Sequence, residues 1–529
     1  MEKEYDVVII GGGINGLACG CYLVKAGLKA LIIERRHETG GGLVTEDFAG
    51  FRYNLHATYH LMADVMPPVA DFDLERHGVL PIFPDAQVAL PCSDGRALVL
   101  YRDLDRTVEG ISSFSPEDAD NFKNMYLEFK ELCDEILIPA TYAPPIPPVE
   151  YMVMLNQSEL GKRLAHVSEL SPLEILDEYK LKDPTLRAAL LFLSTMWGIP
   201  HDTGGLGYMV PLYIYRMTNM ALIRGGSHRL SSALARIFIM SGGDILDGEE
   251  ATGIPIEGGH AAKVVTAAGM EFSAKAIVST LNPEQTFMQM ASGADLPIEL
   301  SHQVKNWKFE HSSLFGAHLS LLKAPDYKAA DSNPDVNRAM MQIIGYETEE
   351  VLIEHLKQLK ENKLPPAAGH ATVATLFDAS QAPEGCHTGR WECFAPYYED
   401  WDDRKDEYAA QGIKKWEEYT KEPLNPVRVY SYSPLDIERK LTTMKRGSIK
   451  HGEYNPLQMG YLRPNDLCSG VKTPIPGLYV CGASVYPGGM ILGGPGYIAA
   501  GVLADELGAK RWWKEPEYVT RARGKNFIR

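Results

Sequence analysis

Three glycines and one acidic residue near the start of the chain have the types and spacing to bind a dinucleotide. Gly11, Gly13 and Gly16 form a G-x-G-x-x-G pattern directly after one apolar run, and Glu34 ends the next. In such a turn the first glycine allows the tight bend, the second lets a pyrophosphate approach the backbone, and the third lets helix and strand pack closely. The acid is placed to accept a hydrogen bond from an adenosine ribose hydroxyl. These residues predict a bound dinucleotide, either FAD or NAD.

The elements around this turn are predicted to form a β-α-β unit. Residues 5–10 are rich in valine and isoleucine, which predicts a buried parallel strand. Apolar residues then recur with helical spacing until the chain reaches Gly27. A second strand is predicted over 30–33, with Glu34 at its end. The helix between them would present backbone N–H groups and a partial positive charge to the phosphates.

The residues after the acid carry a resemblance to a known family. They are two arginines, a glycine pair, a Thr-Glu pair and a Gly-Phe pair: Arg35, Arg36, Gly40, Gly41, Thr45, Glu46, Gly50 and Phe51. This succession resembles the phytoene desaturase-like branch of the FAD-dependent amine oxidase superfamily, a branch that includes retinol saturase and carotenoid isomerases. The resemblance implies that the dinucleotide is FAD, with Gly40 and Gly41 at its phosphates or ribityl chain and Arg35 helping to neutralise charge.

Two later glycine-rich blocks fit the same resemblance, at residues 225–246 and 473–501. After the first block, the resemblance implies that Ala251 contacts adenine through its backbone. In the second block, Gly482 ends a strand, and Gly489 and Met490 would let the flavin ring lie against the backbone. The chain departs from many relatives at Asn54-Leu55-His56, where they have Asp-x-Gly.

The predicted architecture is α/β: a Rossmann-type FAD-binding domain of the glutathione reductase-2-like kind, interleaved with an α+β substrate domain and a helical cap. The FAD-binding domain is assigned residues 1–75, 221–295 and 465–510. The substrate and cap regions take 76–220 and 296–464, and 511–529 form a C-terminal tail. Within them, residues 88–101 predict a β-hairpin, Ser115 predicts a helix N-cap followed by proline, and 155–223 are mostly helical.

The expected chemistry is redox chemistry at the flavin. The chain has no second G-x-G-x-x-G pattern, so a second domain for NAD(P)H is not expected. None of the eight cysteines forms a C-x-x-C pair, which predicts neither a redox disulfide nor a metal site. The electron acceptor would be oxygen, a quinone, a redox protein or the substrate itself. The resemblance implies an FAD-dependent oxidoreductase acting on C–C or C=C bonds of a hydrophobic, isoprenoid or terpene-like substrate, by desaturation, saturation or isomerisation.

Two alternatives stay open. An amine-oxidase-like flavoenzyme would oxidise C–N or C–O bonds on the same fold, with Lys308 and Tyr486 as nominal candidates for a lysine and an aromatic residue at the ring. A lipid-chaperone protein of the same fold would use no flavin at all, which the second and third glycine blocks argue against.

Three polar residues are candidate catalytic groups. His56 and Tyr59 follow the Gly-Phe strand, which in related enzymes runs toward the flavin, and His228 follows Gly225-Gly226. Removal of hydride from an unactivated C–H bond needs a second group to take a proton or to stabilise a cation. A hydrogen-bonded structural role is the alternative for each histidine.

Composition and charge limit the partners. The 529 residues exceed one compact core, and the net charge of −17 predicts no nucleic-acid partner. No apolar stretch is long enough to span a bilayer, which predicts a cytoplasmic protein. An apolar group in the cap predicts weak, reversible membrane contact, with burial in the core as the alternative. Its members are Trp197, Tyr208, Met209, Val210, Leu212, Tyr213, Ile214, Tyr215, Met217 and Met220.

Overall fold

The computed structural model describes residues 4–529, and its elements build two large sheets with helices around them. The strands are β1 Glu4–Ile10, β2 Ala30–Glu34, β3 Thr45–Phe48, β4 Phe51–Asn54, β5 Pro81–Ile82, β6 Ala86–Pro91, β7 Ala97–Tyr101, β8 Leu222–Ile223, β9 Asp244–Asp247, β10 Ala251–Gly253, β11 Ile256–Glu257, β12 His260–Ala261, β13 Lys263–Thr266, β14 Glu271–Ser279, β15 Ser312–Leu321, β16 Met341–Ile344, β17 Gly369–Val373, β18 His387–Pro396, β19 Arg428–Tyr432 and β20 Leu478–Val480.

The α-helices surround the sheets and connect their strands. They are α1 Ile14–Lys25, α2 Pro67–Asp71, α3 Leu104–Ser112, α4 Pro116–Leu132, α5 Ile138–Thr141, α6 Pro148–Leu155, α7 Glu159–Glu169, α8 Pro172–Glu178, α9 Pro184–Thr195, α10 Met209–Met217, α11 His228–Met240, α12 Ile298–Lys305, α13 Glu349–Lys360, α14 Trp401–Glu417, α15 Pro434–Lys440, α16 Gly494–Glu506 and α17 Glu517–Gly524. No helix within residues 4–529 is long and apolar enough to cross a membrane.

The first sheet positions the glycine turn. Its strand order is β10-β13-β14-β1-β2-β9, with β20 beside β14. Strand β1 runs parallel to both β2 and β14, so that Ile10 lies level with Ile33 and Ser279. Because these parallel strands end at the same edge, the residues that follow them meet there, where α/β folds bind their ligands. The strands come from the three ranges assigned to the FAD-binding domain, whose boundaries stay predictions.

The second sheet forms a largely antiparallel platform. Its order is β19-β15-β18-β17-β16-β6-β7, and only the β16–β6 pair is parallel within the described chain. The strands come from the ranges assigned to the substrate domain. Helices α4, α9 and α10 pack on one another beside it, and a continuous apolar core joins them to α1 and α16.

Several predicted elements are confirmed with small shifts at their ends. The strand predicted over 5–10 is β1, and Glu34 is the last residue of β2. Strands β6 and β7 form the predicted hairpin, with Gly95 in its turn at a φ of 90°. Ser115 caps α4 by accepting the Asp118 N–H, with Pro116 at the first helical position. These elements were predictable because capping and turn residues mark their boundaries directly.

Candidate active site

The Gly11 turn has a geometry that excludes side chains at two of its three glycines. Gly11 has a φ of 101°, and a Cβ there would lie 2.2 Å from Thr280 Oγ1. A Cβ at Gly16 would lie 2.2 Å from the Gly11 carbonyl oxygen, so helix and strand meet too closely for a side chain. Gly13 differs, because its φ is −71° and the atom nearest to a Cβ would be Gly41 Cα at 3.9 Å. The protein therefore leaves open space beside Gly13.

The second glycine pair lies directly against this turn. The Gly40 N–H donates to the Gly12 carbonyl at 2.7 Å, and Gly40 has a φ of 126°. A Cβ at Gly41 would lie 3.2 Å from Gly13 Cα. Both glycine segments thus present bare backbone to one space, next to the N-terminus of α1, where phosphate groups are stabilised.

Glu34 is fixed by two backbone donors. Its Oε2 accepts the Gly12 N–H at 2.8 Å, and its Oε1 accepts the Arg36 N–H at 2.9 Å. Hydrogen bonds to a carboxylate are stronger than those between neutral groups. The carboxylate is thereby held at the edge of the glycine turn, in the place where a ribose hydroxyl would be recognised.

All eleven residues predicted to bind the cofactor line one cavity, here called the cofactor cavity. They are Gly11, Gly13, Gly16, Glu34, Arg35, Gly40, Gly41, Ala251, Gly482, Gly489 and Met490. A helix N-terminus, walls of bare backbone and nearby basic side chains are what a pyrophosphate-bearing cofactor requires. The residues present therefore fit a dinucleotide, and the contact of each with the cofactor stays a prediction.

Two arginines at this cavity differ in depth. Arg35 is exposed and donates to the Lys440 carbonyl at 2.9 Å. Arg36 is less exposed, lines the same cavity and donates to the Gly41 carbonyl at 3.3 Å. Burial lowers the pKa of Arg36, which Glu34 and Glu46 partly offset. Arg36 was not among the predicted site residues, although the basic pair after Glu34 was the signal that could have identified it.

The third glycine block closes the far end of the cofactor cavity. A Cβ at Gly482 would lie 2.6 Å from the Thr280 carbonyl oxygen, and one at Gly489 would lie 3.2 Å from Lys450 Cα. Met490 adopts a φ of 80°, which a residue with a side chain rarely does. The backbone here is therefore held in a tight turn against two neighbouring segments.

Another wall of the cofactor cavity was missed by the sequence patterns. Residues 440–451 lie in the range assigned to the substrate domain, yet seven of them line this cavity: Lys440, Leu441, Thr442, Thr443, Met444, Ile449 and His451. The segment follows α15 and has neither a glycine pattern nor an apolar period. Only its resemblance to the block before the last FAD strand could have pointed to it.

A second, apolar cavity of about 420 Å³ adjoins the first and is here called the apolar chamber. It is lined mainly by apolar side chains from residues 137–155, 205–216 and 454–462. Six tyrosines contribute to its walls: Tyr151, Tyr208, Tyr213, Tyr454, Tyr461 and Tyr486. Met490 lines both cavities. The two spaces therefore meet at the turn that closes the cofactor cavity.

The polar groups of the chamber wall are largely engaged with the protein. Arg216 is the one charged residue among the described residues that line it; it donates to the Leu61 carbonyl at 2.7 Å and pairs with Asp64. Tyr486 donates to the Ala140 carbonyl at 2.7 Å. The Tyr454 hydroxyl accepts the Gly489 N–H at 3.0 Å. The chamber thus offers a bound molecule apolar and aromatic surface and no carboxylate from the described chain.

The three candidate catalytic residues line neither cavity. His56 lies behind the cofactor wall, and its Nε2 has no hydrogen-bond partner within residues 4–529. Burial, together with Lys440, Arg390 and Arg36, lowers the pKa of His56 to about 3. The neutral imidazole is therefore the stable form. A role for His56 through the wall stays a prediction.

Tyr59 and His228 lie farther into the protein body. Tyr59 is buried beside His370, with ring centroids 5.6 Å apart, and burial raises the pKa of its phenol. His228 begins α11, and its backbone N–H donates to Thr45 Oγ1 at 3.2 Å. Burial lowers its pKa. Their catalytic roles likewise stay predictions.

The apolar run of the cap belongs to the interior. Trp197, Met209, Val210, Tyr213, Ile214, Met217 and Met220 are buried, and Tyr208, Leu212 and Tyr215 are partly buried. Four of the ten line the apolar chamber: Tyr208, Met209, Leu212 and Tyr213. Burial, the alternative to membrane contact, therefore describes this run. Of the nominal amine-oxidase residues, Lys308 is exposed and Tyr486 lies in the chamber wall.

Comparison with known proteins agrees with this arrangement. Residues 9–72 match the family of NAD(P)-binding Rossmann-like domains. The chain is 44% identical over 544 residues to one subunit of the limonene dehydrogenase of Castellaniella defragrans, covering 99% of both chains. It is 22% identical to the chloroplastic prolycopene isomerase 1 of an Oncidium hybrid cultivar, over 96% of this chain and 85% of that one.

A solved structure shows the same fold. The putrescine oxidase bound to putrescine superposes with a TM-score of 0.59 at 13% identity, covering 96% of this chain and 99% of that chain. At that identity the likeness concerns the fold alone. The near full-length match at 44% identity shows the family. The chain is a flavin-dependent oxidoreductase and belongs to the phytoene desaturase-like branch of the FAD-dependent amine oxidase superfamily.

Proposed function

We propose that this protein uses FAD to oxidise, reduce or isomerise C–C or C=C bonds of a terpene-like molecule held in the apolar chamber. The observation that carries the proposal is the meeting of the two cavities at Met490. A dinucleotide whose ribose lies at Glu34 would extend past Gly41 toward this junction. Its reactive ring would then face the chamber.

FAD is proposed rather than another dinucleotide because three glycine blocks, and not one, line the cofactor cavity. Gly489 and Met490 add a backbone surface at the chamber end that a Rossmann turn alone does not supply. When bound, FAD supplies the acceptor for two electrons. The chain itself binds the phosphates at Gly13 and Gly41, orients the ribose through Glu34 and separates the ring from water.

A terpene-like substrate is supported by the size and chemistry of the chamber. Its volume of about 420 Å³ lies in the range of small-molecule sites, roughly 300–1,000 Å³. Apolar and tyrosine walls remove hydrocarbon surface from water, which is favourable in itself. The relative at 44% identity is named for limonene, a monoterpene. The tyrosine faces also favour a carbon that becomes positive when hydride leaves.

The two alternatives fit the site less well. An amine substrate carries a cation at neutral pH, and the one charged side chain described in the chamber wall, Arg216, would repel it. The nominal amine-oxidase lysine, Lys308, lies on the surface. A lipid-chaperone protein without flavin would have no need for the open backbone cradle at Gly13, Gly40 and Gly41.

The test is spectroscopic and uses the purified protein with its flavin. Anaerobic addition of a monoterpene hydrocarbon should bleach the visible flavin absorbance, whereas a panel of primary amines should not. Bleaching by amines with peroxide release in air, and none with any terpene, would favour the amine-oxidase alternative. A colourless protein that takes up no added FAD would overturn the proposal as a whole.

The acceptor and the location of the protein are further parts of the proposal. Oxygen, a quinone or a redox protein would reoxidise the flavin, and peroxide release in air separates the first from the others. Weak membrane contact is supported by exposed apolar side chains next to the chamber. Val149 on α6 is 81% exposed, and Leu457, beside the chamber residue Pro456, is 79% exposed.

A further inference from the structure

Arg463 is a fully buried cation that forms no ion pair within the described chain. Its side chain is 0% exposed. The guanidinium donates only to backbone carbonyls: to Ala483 at 2.9 and 3.0 Å, to Gln458 at 3.0 Å, and to Lys450 and Gly452 at 2.6 and 3.4 Å. Burial of a charge without an opposite charge costs free energy. Packing alone does not require a guanidinium at this position.

A buried ion pair lies next to Arg463. Lys450 Nζ pairs with Glu310 Oε1 at 2.8 Å and donates to the Trp197 carbonyl at 2.6 Å. Burial alone would raise the pKa of Glu310, but Lys450 and Ser448 hold it below its usual value. Glu310 is therefore a carboxylate. Arg463, Lys450 and Glu310, here called the Arg463 cluster, together carry one net positive charge.

The Arg463 cluster lies directly behind the wall where the two cavities meet. Ala483, whose carbonyl accepts twice from Arg463, lines the cofactor cavity. The ring centroid of Tyr454 lies 4.9 Å from the Arg463 guanidinium carbon and 4.7 Å from Lys450 Nζ. The hydroxyl of the same tyrosine holds the Gly489 N–H, and its ring faces the chamber. The excess charge is thus placed at the ring end of the cofactor cavity, far from the Glu34 end.

A flavin that takes up two electrons and one proton gains one negative charge. We propose that the Arg463 cluster is the counter-charge for this form, and that it raises the reduction potential of the bound flavin. The inference rests on the proposed function in one respect, that a flavin occupies the cofactor cavity. Arg463 is a positioning residue here, because the wall separates it from the cofactor and it acts through the field of its charge.

The wild-type holoprotein provides the first test, in which the potential is measured against reference dyes at several values below neutral pH. A two-electron couple that takes up one proton shifts by about 30 mV per pH unit, the change for a tenfold step. The bound flavin should keep this slope at pH values where free FAD shows about twice the slope. A bound flavin with the slope of free FAD throughout would overturn the inference but leave the proposed function intact.

Two variants separate charge from packing. Arg463→Met removes the charge and the hydrogen bonds, and it should lower the potential by about 30 mV or more, a tenfold change in the reduction equilibrium. Arg463→Lys loses the planar fork but keeps the charge, so it should reduce stability and leave the potential close to wild type. Equal loss of potential in both variants, or no loss in either, would contradict the inference. If wild-type protein binds no flavin, the proposed function fails first and the inference with it.

Discussion

The backbone N–H of Gly12 donates to Glu34 Oε2 at 2.8 Å, so the glycine turn and the acid at the end of the next strand are directly joined. The other carboxylate oxygen accepts the Arg36 N–H at 2.9 Å. Glu34 thus has a structural task besides its predicted contact with ribose. It holds the turn and the first basic residues in one arrangement.

Glu34→Gln should therefore weaken flavin binding. An amide has one accepting oxygen, so one of the two backbone N–H groups loses its partner. Loss of a hydrogen bond to a charged group costs about 1.5–3 kcal/mol, or roughly 10- to 100-fold in affinity. Flavin retention after dialysis, followed by titration of the apoprotein with FAD, measures the effect. Glu131→Gln, at an exposed position of α4, is the matched control and should bind as wild type.

Gly13→Ala should give a folded protein without flavin. The backbone at Gly13 accepts a side chain, and a Cβ would contact nothing closer than 3.9 Å. It would instead occupy the space through which a pyrophosphate approaches. Gly16→Ala is the contrasting variant, because its Cβ would lie 2.2 Å from the Gly11 carbonyl oxygen, and it should lower the melting temperature. A Gly13→Ala protein with a full complement of flavin would show that the cofactor does not pass this residue.

Leu212→Trp should fill part of the apolar chamber. Leu212 lines the chamber and is only partly buried, so that the larger side chain can be accommodated at its wall. We expect KM for a monoterpene to rise by about tenfold, the effect of roughly 1.4 kcal/mol of lost binding, with flavin content unchanged. Leu127→Trp is the control, because Leu127 is exposed on α4. Unchanged KM in Leu212→Trp would place the substrate elsewhere.

Stability should fall as pH decreases from about 6.5 to about 4. Burial lowers the pKa of His60 and His355 to about 4, and that of His370 to about 3, with Arg390 contributing to the last. In this range the unfolded state binds protons that the folded state does not, so each such histidine removes about 1.4 kcal/mol per pH unit. Urea unfolding at several pH values measures the slope.

The histidine origin of that slope has its own control. His60→Leu removes a ring whose two nitrogens have no partner within residues 4–529, so it should flatten the slope without a large loss of stability at neutral pH. A slope identical to wild type in His60→Leu would assign the acid sensitivity to carboxylates instead.

Membrane contact should depend on α6 and not on the buried run of the cap. Val149→Glu and Leu457→Glu place charges at exposed apolar positions beside the chamber, and they should reduce co-sedimentation with neutral liposomes. Val351→Glu, at an exposed apolar position on α13, is the control. Salt should have little effect in either case, because the expected contact is hydrophobic. Complete absence of wild-type protein from the lipid pellet would remove membrane contact from the proposal.

The cofactor cavity was largely predictable because glycine positions are fixed by local sterics. Gly11 and Gly16 leave no room for a Cβ, and such positions can be recognised from spacing alone. The wall at residues 440–451 was not predictable in this way. Its threonines and basic residues look like an exposed loop, and only their packing against the first sheet turns them toward the cavity.

The buried charges were also outside the reach of sequence patterns. Arg463 stands before a proline in a polar stretch, and Lys450 follows a serine and an isoleucine. Neither position has an acidic neighbour that would suggest a partner. Glu310, which pairs with Lys450, is separated from it by most of the second sheet, so tertiary contacts alone create the cluster.

The pairing of β20 with β14 has a consequence for the order of events on the ribosome. The first glycine turn and β14 are synthesised early, yet Gly482, Gly489 and Met490, which line the chamber end of the cofactor cavity, follow only after β20. A nascent chain that has reached the second sheet therefore has the adenosine end of the cavity without the ring end. Enclosure of the flavin must wait until translation has passed Met490, which makes cofactor loading a late step in the maturation of the protein.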